Sequence, residues 1–551
     1  MAVFVDGNTL AGVTGVGNQN QSSVAALTSD VVVVTWAHAS GAPAQPTVIK
    51  GQLFSASSGA SLSAEFLVSL PDPDNQTSPS VARLSDASFV VTWTDATGDG
   101  DQSRIMARTF NLDTSDYTVK TPGTPPQQVN QDPTGTQDHS SVAAATVDGK
   151  TTFVVTWADN DGGTNGTDIE GRVFLTTTQT GTTLFDAATG ASADFDVSSG
   201  LGEQTHPSVA AVSYQGGAGF VVAWNEASTV KGQAFTLAQT SNVLSPSVSA
   251  IPGSSFTVER PASSVVGEAS VAPLSDGRFA VVWTDNANDS NGKDVESQVF
   301  KVVADPTANV PENVKVLAGG KFTIASGLDA QEQPSIAALT LPTEPNSKIV
   351  VTWTDNEPDA NGDEVRGQVF NLDTVAPSVA TYSPTDGATG VPVGANLVLT
   401  FNEEVQAGTG LIRIHRSSDD SVAQTFDVAS SVDNGGPLTF SGMTLTINPP
   451  TDLIPGTAYY VTVTKGAVRD LAFNDYVDLV GTFNFTTQAA APPSGGGGDP
   501  TPAGPTPGPD LLVLTEGADS MDALAGDDTV SALRQRHGLG RSRQRLASGR
   551  V

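Results

Sequence analysis

Short apolar runs alternate with turns rich in Gly, Asp, Asn and Ser, and six of these runs end in the same phrase. They are Val33-Val-Thr-Trp36, Val90-Val-Thr-Trp93, Val154-Val-Thr-Trp157, Val221-Val-Ala-Trp224, Ala280-Val-Val-Trp283 and Val350-Val-Thr-Trp353. They hold all six Trp of the chain, at spacings of 57, 64, 67, 59 and 70 residues. A Ser-Val-Ala run precedes each, beginning at Ser23, Ser80, Ser141, Ser208, Ser270 and, as Ser-Ile-Ala, Ser335. A polar turn and a strand ending in Phe54, Phe110, Phe174, Phe235, Phe300 or Phe370 follow. A fourth apolar piece comes next in five repeats, as in Glu65-Phe-Leu-Val68, Asp194-Phe-Asp-Val197 and Lys321-Phe-Thr-Ile324. Each unit therefore reads as four short strands.

The Trp strand is apolar on both faces: Phe89, Val91 and Trp93 lie on one, Val90 and Thr92 on the other. Such a strand needs cover on both sides. Four-stranded blades arranged around an axis supply it, so the repeats predict a six-bladed β-propeller over residues 1–374. Trp36, Trp93, Trp157, Trp224, Trp283 and Trp353 are read as blade core rather than as ligand-stacking groups. The sixth repeat stops after Phe370, and the chain opens with an orphan fourth strand, Ala2-Val-Phe-Val5. Residues 2–6 are expected to complete the last blade and close the ring, which leaves no open edge.

Residues 375–488 change character. Alternating strands such as Leu397-Val-Leu-Thr-Phe401, Leu445-Thr-Ile447 and Tyr459-Tyr-Val-Thr-Val463 predict a β-sandwich. Asp373, Ala376-Pro377, Asp386-Gly-Ala-Thr-Gly-Val-Pro392, Pro455-Gly-Thr-Ala-Tyr-Tyr460 and Asp470-Leu-Ala-Phe-Asn474 make the segment resemble the bacterial Ig-like domain of S-layer and secreted adhesin-type proteins. That resemblance implies a spacer or binding module. Residues 489–510 are a Pro/Gly linker without the apolar content that ordering requires.

Residues 511–533 contain Gly517-Ala-Asp519-Ser-Met521 and Gly526-Asp-Asp528-Thr-Val530, two Gly-x-Asp-x-apolar phrases nine residues apart. They resemble the start of RTX (haemolysin-type) calcium-binding repeats. Gly permits the tight turn, Asp offers hard oxygen, and the apolar residue points into a parallel roll. The resemblance implies calcium at Asp519 and Asp528, with Gly517 and Gly526 shaping the turns. It also implies export by a type I secretion apparatus reading a C-terminal address.

Residues 534–551 hold six of the 26 basic residues and no acid. Written in permitted codons and read one base out of phase, they give Gly-Asn-Asp-Thr-Val-Trp-Gly-Gly-Ala and then Gly-Asn-Asp-Ser-Leu-Ala-Gly-Gly. We read the tail as the product of a frameshift near Leu533 that replaced a longer repeat array, and with it the export signal.

Composition narrows the function classes. The 551 residues carry 59 Asp+Glu against 26 Lys+Arg, a net charge of −33, which repels nucleic acid and anionic membrane. No cysteine is present, so disulfide scaffolds, Cys-ligated zinc and thiol catalysis are excluded. Gly (55) and Pro (34) are plentiful while charged residues are only 15%, the profile of a turn-rich β protein. No apolar stretch is long enough for a transmembrane helix, and Met1-Ala-Val-Phe-Val-Asp6 lacks the basic and apolar regions of a secretory signal.

Candidate chemistry sits in three places. The turns after four Trp strands are acidic: Asp95, Asp99 and Asp101; Asp159 and Asp161; Asp285, Asp289 and Asp294; Asp355, Asp359 and Asp363. Alternating Asp/Asn with Gly wraps Ca²⁺ and is equally ordinary turn composition. Two residues before each Ser-Val-Ala stands a polar residue: Gln21, Ser78, His139, His206, Glu268 and Gln333. If these strands line the channel, His139, His206 and Glu268 form part of a polar ring on consecutive blades, with the donor set of many metal sites. The alternative is simple capping of irregular strand starts. The RTX-like aspartates are the third place. No nucleophile elbow, His-Glu-x-x-His or phosphate loop occurs. Leu84-Ser-Asp-Ala-Ser-Phe-Val-Val-Thr-Trp93 resembles the Asp-box of sialidase-type propellers, but its spacing is too long and no Arg triad accompanies it.

The expectation is a secreted, calcium-binding, adhesin-like bacterial surface protein without an organic cofactor. Its partner would be a glycan or a surface protein, not nucleic acid. The alternatives are an extracellular glycosidase-type hydrolase with its site in the propeller channel, and a glycan-binding propeller.

Overall fold

The computed structural model describes residues 4–9, 18–40, 45–70, 73–96, 102–120, 125–132, 134–147, 149–160, 166–179, 182–185, 192–199, 202–214, 217–227, 229–239, 246–258, 265–274, 277–286, 293–304, 314–325, 330–340, 345–355, 364–432, 436–490, 511–514, 529–533 and 546–550. These residues are almost wholly β, with a single short helix, Val428–Ser431, among them.

Every repeat forms an antiparallel sheet in chain order. The first blade runs Asn18–Ala26, Val31–Ala39, Val48–Ser55 and Phe66–Leu67. In the sixth, Gln331–Thr340, Pro345–Asp355 and Glu364–Asn371 are followed by Phe4–Thr9 from the other end of the chain. Val5 lies opposite Phe370 in that antiparallel pairing. The second and third blades touch through one parallel bridge between Ser103 and Thr136.

The Ser-Val-Ala strands face the axis, and their serines tie the ring. The Val81 N–H donates to Ser23 Oγ, Val142 to Ser80, Val209 to Ser141, Val271 to Ser208, Ile336 to Ser270, and Val24 back to Ser335. An innermost strand has a free backbone edge, and each hydroxyl occupies one of its donors. The circuit closes after six steps, so the described residues form a six-membered ring.

The core is divided in the same way. Among the described residues, six apolar clusters each join two consecutive blades, including the sixth with the first through Val24, Trp36, Leu339 and Val369. All six Trp are buried. Phe89 and Phe110 stack across neighbouring strands at 5.2 Å, and Phe153/Phe174, Phe220/Phe235 and Phe279/Phe300 repeat the pair. Fourth-strand Phe66, Phe195 and Phe256 lie on Gly51, Gly171 and Gly232 and reach Phe89, Phe220 and Phe279 of the next blade. Aromatic side chains thus knit the first, third and fourth blades to their successors.

Residues 375–488 form the expected sandwich. One sheet holds Val379–Ser383, Leu397–Phe401, Thr444–Ile447 and Leu438–Ser441. The other holds Ala388–Val391, Asn484–Thr487, Ala458–Val463, Leu411–Arg416 and Val422–Asp427. Leu397, Leu399 and Phe401 point inward while Val398 and Thr400 are half-buried, the alternation of a sheet packed on one face.

The sandwich docks on the ring through Leu471-Ala-Phe473. Gly320 N–H donates to the Leu471 carbonyl (3.2 Å) and Arg278 Nη1 to that of Ala472 (2.8 Å). Phe473, with φ +67°, enters the apolar core between the fifth and sixth blades beside Leu274 and Phe370.

Candidate functional site

Each inner strand carries a β-bulge near one mouth of the channel. Asn20 faces Ala37 and Ser23 faces Thr35, so Gln21 and Ser22 together oppose Trp36. The same two-for-one count recurs at Ser78-Pro79, His139-Ser140, His206-Pro207 and Gln333-Pro334, each opposite its own Trp. The first residue of each pair adopts φ between +51° and +54°. Such a conformation is uncommon for a side-chain-bearing residue, and bulges re-aim side chains. The fifth blade shifts its bulge by one residue, placing Gly267 and Glu268 opposite Thr284.

The bulges deliver all six polar residues named from sequence into one cavity of about 110 Å³, walled by the adjoining Ser, Pro and Ala. Gln333 and Gln21 cap a neighbouring blade, the latter at Ser78. Gln333 Oε1 accepts from Gln21 N–H (2.8 Å), and Gln21 Oε1 accepts from Ser78 N–H (2.9 Å). His139, His206 and Glu268 cluster. His139 and His206 bring their ring centroids to 3.9 Å, tilted by 51°. His139 Nδ1 lies 2.8 Å from Asp138 Oδ1, and His206 Nε2 lies 3.3 Å from Glu268 Oε1.

Burial opposes charge on His139, but the hydrogen bond and charge of Asp138, helped by Glu268, prevail and raise its pKa. Burial likewise opposes ionisation of Glu268. The hydrogen bond and charge of His206, with His139 and Gln333, overcome it and hold the carboxyl below its ordinary range.

Toward the other mouth the channel widens to about 440 Å³, because small residues such as Ala25, Ala82, Ala143, Ala210, Ala272 and Ala337 line it. Among the described residues, Glu268 is the sole carboxylate lining either cavity.

The acidic positions after the Trp strands divide. Asp95, Asp159, Asp285 and Asp355 are strand residues and buried. Arg104 holds Asp95 Oδ2 through Nε (3.0 Å) and Nη2 (2.8 Å). Arg366 Nε lies 2.9 Å from Asp355, and Lys321 Nζ 3.7 Å from Asp285. In the third blade Gln137 donates to Asp159, and Glu170 is its acidic neighbour. Burial, then the charge of Asp159 and a hydrogen bond with it, then Asp194 and Asp196, push Glu170 up to about 8. Asp294, half-buried, begins the next strand of its blade. Asp99, Asp101, Asp161, Asp289, Asp359 and Asp363 lie outside the described residues, as do Gly517, Asp519, Gly526 and Asp528. Beside the latter, Leu511–Leu514 and Thr529–Leu533 pair in parallel.

One cluster escapes the sequence reading. Asp373, Glu403 and Asp470 place three carboxylate oxygens within 4.8 Å of one another. Asp373 and Asp470 stand out in the sequence only as marks of the Ig-like segment; Glu403 joins them across the sandwich. Burial first, then Asp470 and Asp373, push Glu403 up to about 7.

Residues 373–487 match the family model of the bacterial Ig-like domain. A search of curated proteins found no match to the chain. Among solved structures, the parainfluenza virus 5 hemagglutinin-neuraminidase ectodomain is similar at 8% identity and a TM-score of 0.40, covering 67% of this chain and 85% of that one. The α-L-arabinofuranosidase Arb93A of Fusarium graminearum, a variant with an iminosugar inhibitor, is similar at 10% identity and 0.39, covering 66% and 98%. The α-L-arabinanase of Penicillium chrysogenum with arabinobiose gives 9%, 0.37, 66% and 98%. Scores this low have no bearing on this chain's chemistry.

Proposed function

We propose that this chain is an extracellular, adhesin-like bacterial surface protein whose propeller is a non-catalytic binding module. The carrying observation is that the described residues place a single carboxylate in the channel. Glycoside hydrolysis generally uses two, about 5–9.5 Å apart. Among the described residues Glu268 has no such partner in either cavity, and it is engaged by His206. The Ig-like segment docked against the blades is compatible with a surface location, and among the described residues no helix is long and apolar enough to cross a membrane. Calcium would enter at Asp519 and Asp528, and extracellular Ca²⁺ at about 10⁻³ M would order that segment after export.

A glycan array probed in Ca²⁺ and in chelator, with product release measured on every glycan bound, tests the reading. Binding without turnover is expected. Cleavage of a bound glycan would replace it with the hydrolase reading. The coding DNA tests the tail: Gly-x-Asp repeats in the alternative frame beyond codon 533 are expected if a longer array has been lost.

A further inference from the structure

We propose that the narrow mouth of the channel binds the uncharged terminal sugar of a glycan, held by the side chains that the bulges turn inward. The inference rests on the binding reading above and adds to it a place and a ligand class.

The mouth is built against a backbone cost. Gln21, Ser78, His139, His206 and Gln333, on five of the six blades, are side-chain-bearing residues in the left-handed region. Such strain persists only where the surroundings enforce it, and it gathers at ligand clamps. Here it brings all five residues to the wall of one cavity. Capping of the blades uses only part of their polarity. Gln333 and Gln21 commit their carbonyl oxygens to the N–H groups of Gln21 and Ser78. The Gln21 amide NH₂ and the Ser78 hydroxyl make no hydrogen bond to another described residue.

The walls suit carbohydrate. Pro79, Pro207 and Pro334 are interspersed with the polar side chains around the cavity. A sugar ring carries hydroxyls at its edge and C–H groups on its faces, so it meets both kinds of surface at once. A cavity of about 110 Å³ takes several water-sized groups, since each needs about 10–15 Å³. That is the scale of one sugar ring at a chain end.

Charge selects the class. Among the described residues lining this mouth there is no Lys or Arg, the side chains that recognise carboxylate or sulfate groups. Burial opposes ionisation of Glu268, yet the hydrogen bond and charge of His206 keep it ionised. An acidic sugar would meet that carboxylate inside the field of a chain with net charge −33. An ammonium group gains little, because His206 Nε2 already stands 3.3 Å from Glu268 Oε1. A ring of neutral hydroxyls fits what remains.

The full chain, in Ca²⁺, is probed with oligosaccharides ending in a neutral hexose or N-acetylhexosamine, beside the same cores ending in sialic or uronic acid. Binding to the neutral ends alone is expected, and preference for the acidic ends overturns the proposal. The tightest neutral binder is then titrated calorimetrically into variants. Gln21→Glu keeps the oxygen that the Ser78 N–H needs but loses the NH₂ donor, and should weaken binding about 10-fold or more. Ser78→Asn, whose side chain tolerates the left-handed backbone, should crowd the cavity and weaken binding about 100-fold. Arg83→Ala, at the wide mouth, should leave it unchanged. Unaltered affinity in folded Gln21→Glu and Ser78→Asn overturns this site while the binding reading stands. If no glycan binds, the proposal falls as well. Should neither variant fold, imidazole NMR of the unmodified chain decides: of its five histidines, His139 and His206 should shift on adding the neutral binder. Shifts confined to other histidines, or none, overturn the proposal.

Discussion

Ser335 Oγ accepts a hydrogen bond from the backbone N–H of Val24, 311 residues away in sequence, at 3.1 Å. The same bond links every other pair of consecutive blades, but this one spans the seam between the sixth repeat and the first. Ser22 Oγ to Thr352 Oγ1 (3.0 Å) and the Gln21–Gln333 bond lie beside it.

Ser335→Ala is expected to cost about 1–3 kcal/mol, because it leaves a buried N–H without its acceptor. Ser141→Ala breaks the equivalent bond to Val209 and should cost a similar amount in urea denaturation. The two should differ in hydrogen exchange. Loss of the seam bond should speed exchange in Asn18–Ala26 and Gln331–Thr340, where the ring opens without breaking a covalent connection. Equal exchange in both variants would show that the seam is no weaker than any other joint.

The ring was legible from the sequence because each of its elements is repeated. Six copies of one phrase mark the Trp strands, and an incomplete last unit with an orphan first strand raises the expectation of closure; Phe4–Thr9 pairs with the last strand of the sixth blade. The bulges were less legible. Polar residues two before each Ser-Val-Ala are visible, but an extra residue in a strand has no signature of its own, so their convergence appears only in three dimensions. The Asp373–Glu403–Asp470 cluster was illegible, since its members come from separated segments of a non-repeating sandwich. Likewise, the burial of Asp95 and Asp355 depends on Arg104 and Arg366 across the sheet, a pairing that the acidic turns conceal.

Docking of the sandwich rests on a close approach that a side chain would block. A Cβ on Gly319 would lie 2.3 Å from the Leu471 carbonyl oxygen, so Gly319→Ala forces the two apart. Phe473→Ala instead empties a pocket between the fifth and sixth blades, at a cost of about 3–5 kcal/mol if the site cannot collapse. Limited proteolysis should then cut near Asp373–Pro377 faster in both variants than in the unmodified chain. Unchanged cleavage would mean that these contacts do not hold the sandwich in place.

Glu170 makes stability depend on pH in an unusual direction. In the sister blades a basic side chain stands by the equivalent aspartate; in the third blade Glu170 does, and burial and its acidic neighbours push it from 4.5 to about 8. The folded chain therefore keeps this proton where the unfolded chain has lost it, and this group's contribution to stability falls as pH rises from about 4.5 to about 8. Glu170→Gln removes the titration, so urea midpoints measured across that window should decline less in the variant. Parallel profiles would show that Glu170 ionises normally.

The phenylalanine lids make the sharpest packing test. A Cβ on Gly171 would meet Phe195 Cζ at 2.7 Å, and on Gly232 would meet Phe256 Cζ at 2.3 Å. Alanine normally suits a strand better than glycine, since glycine has more conformational freedom to lose. Here the end of the ring sits against the glycine and the ring also touches Phe220 of the fourth blade, so it cannot lift without opening the joint. Gly171→Ala should cost about 1–3 kcal/mol through overpacking. Phe195→Ala should be destabilising alone, yet in that background Gly171→Ala should lose its penalty, because the methyl then fills space the ring has left. The two changes should thus be strongly non-additive in a double-mutant cycle, as contacting residues are. Simple additivity would show that the glycine is not there to seat the ring.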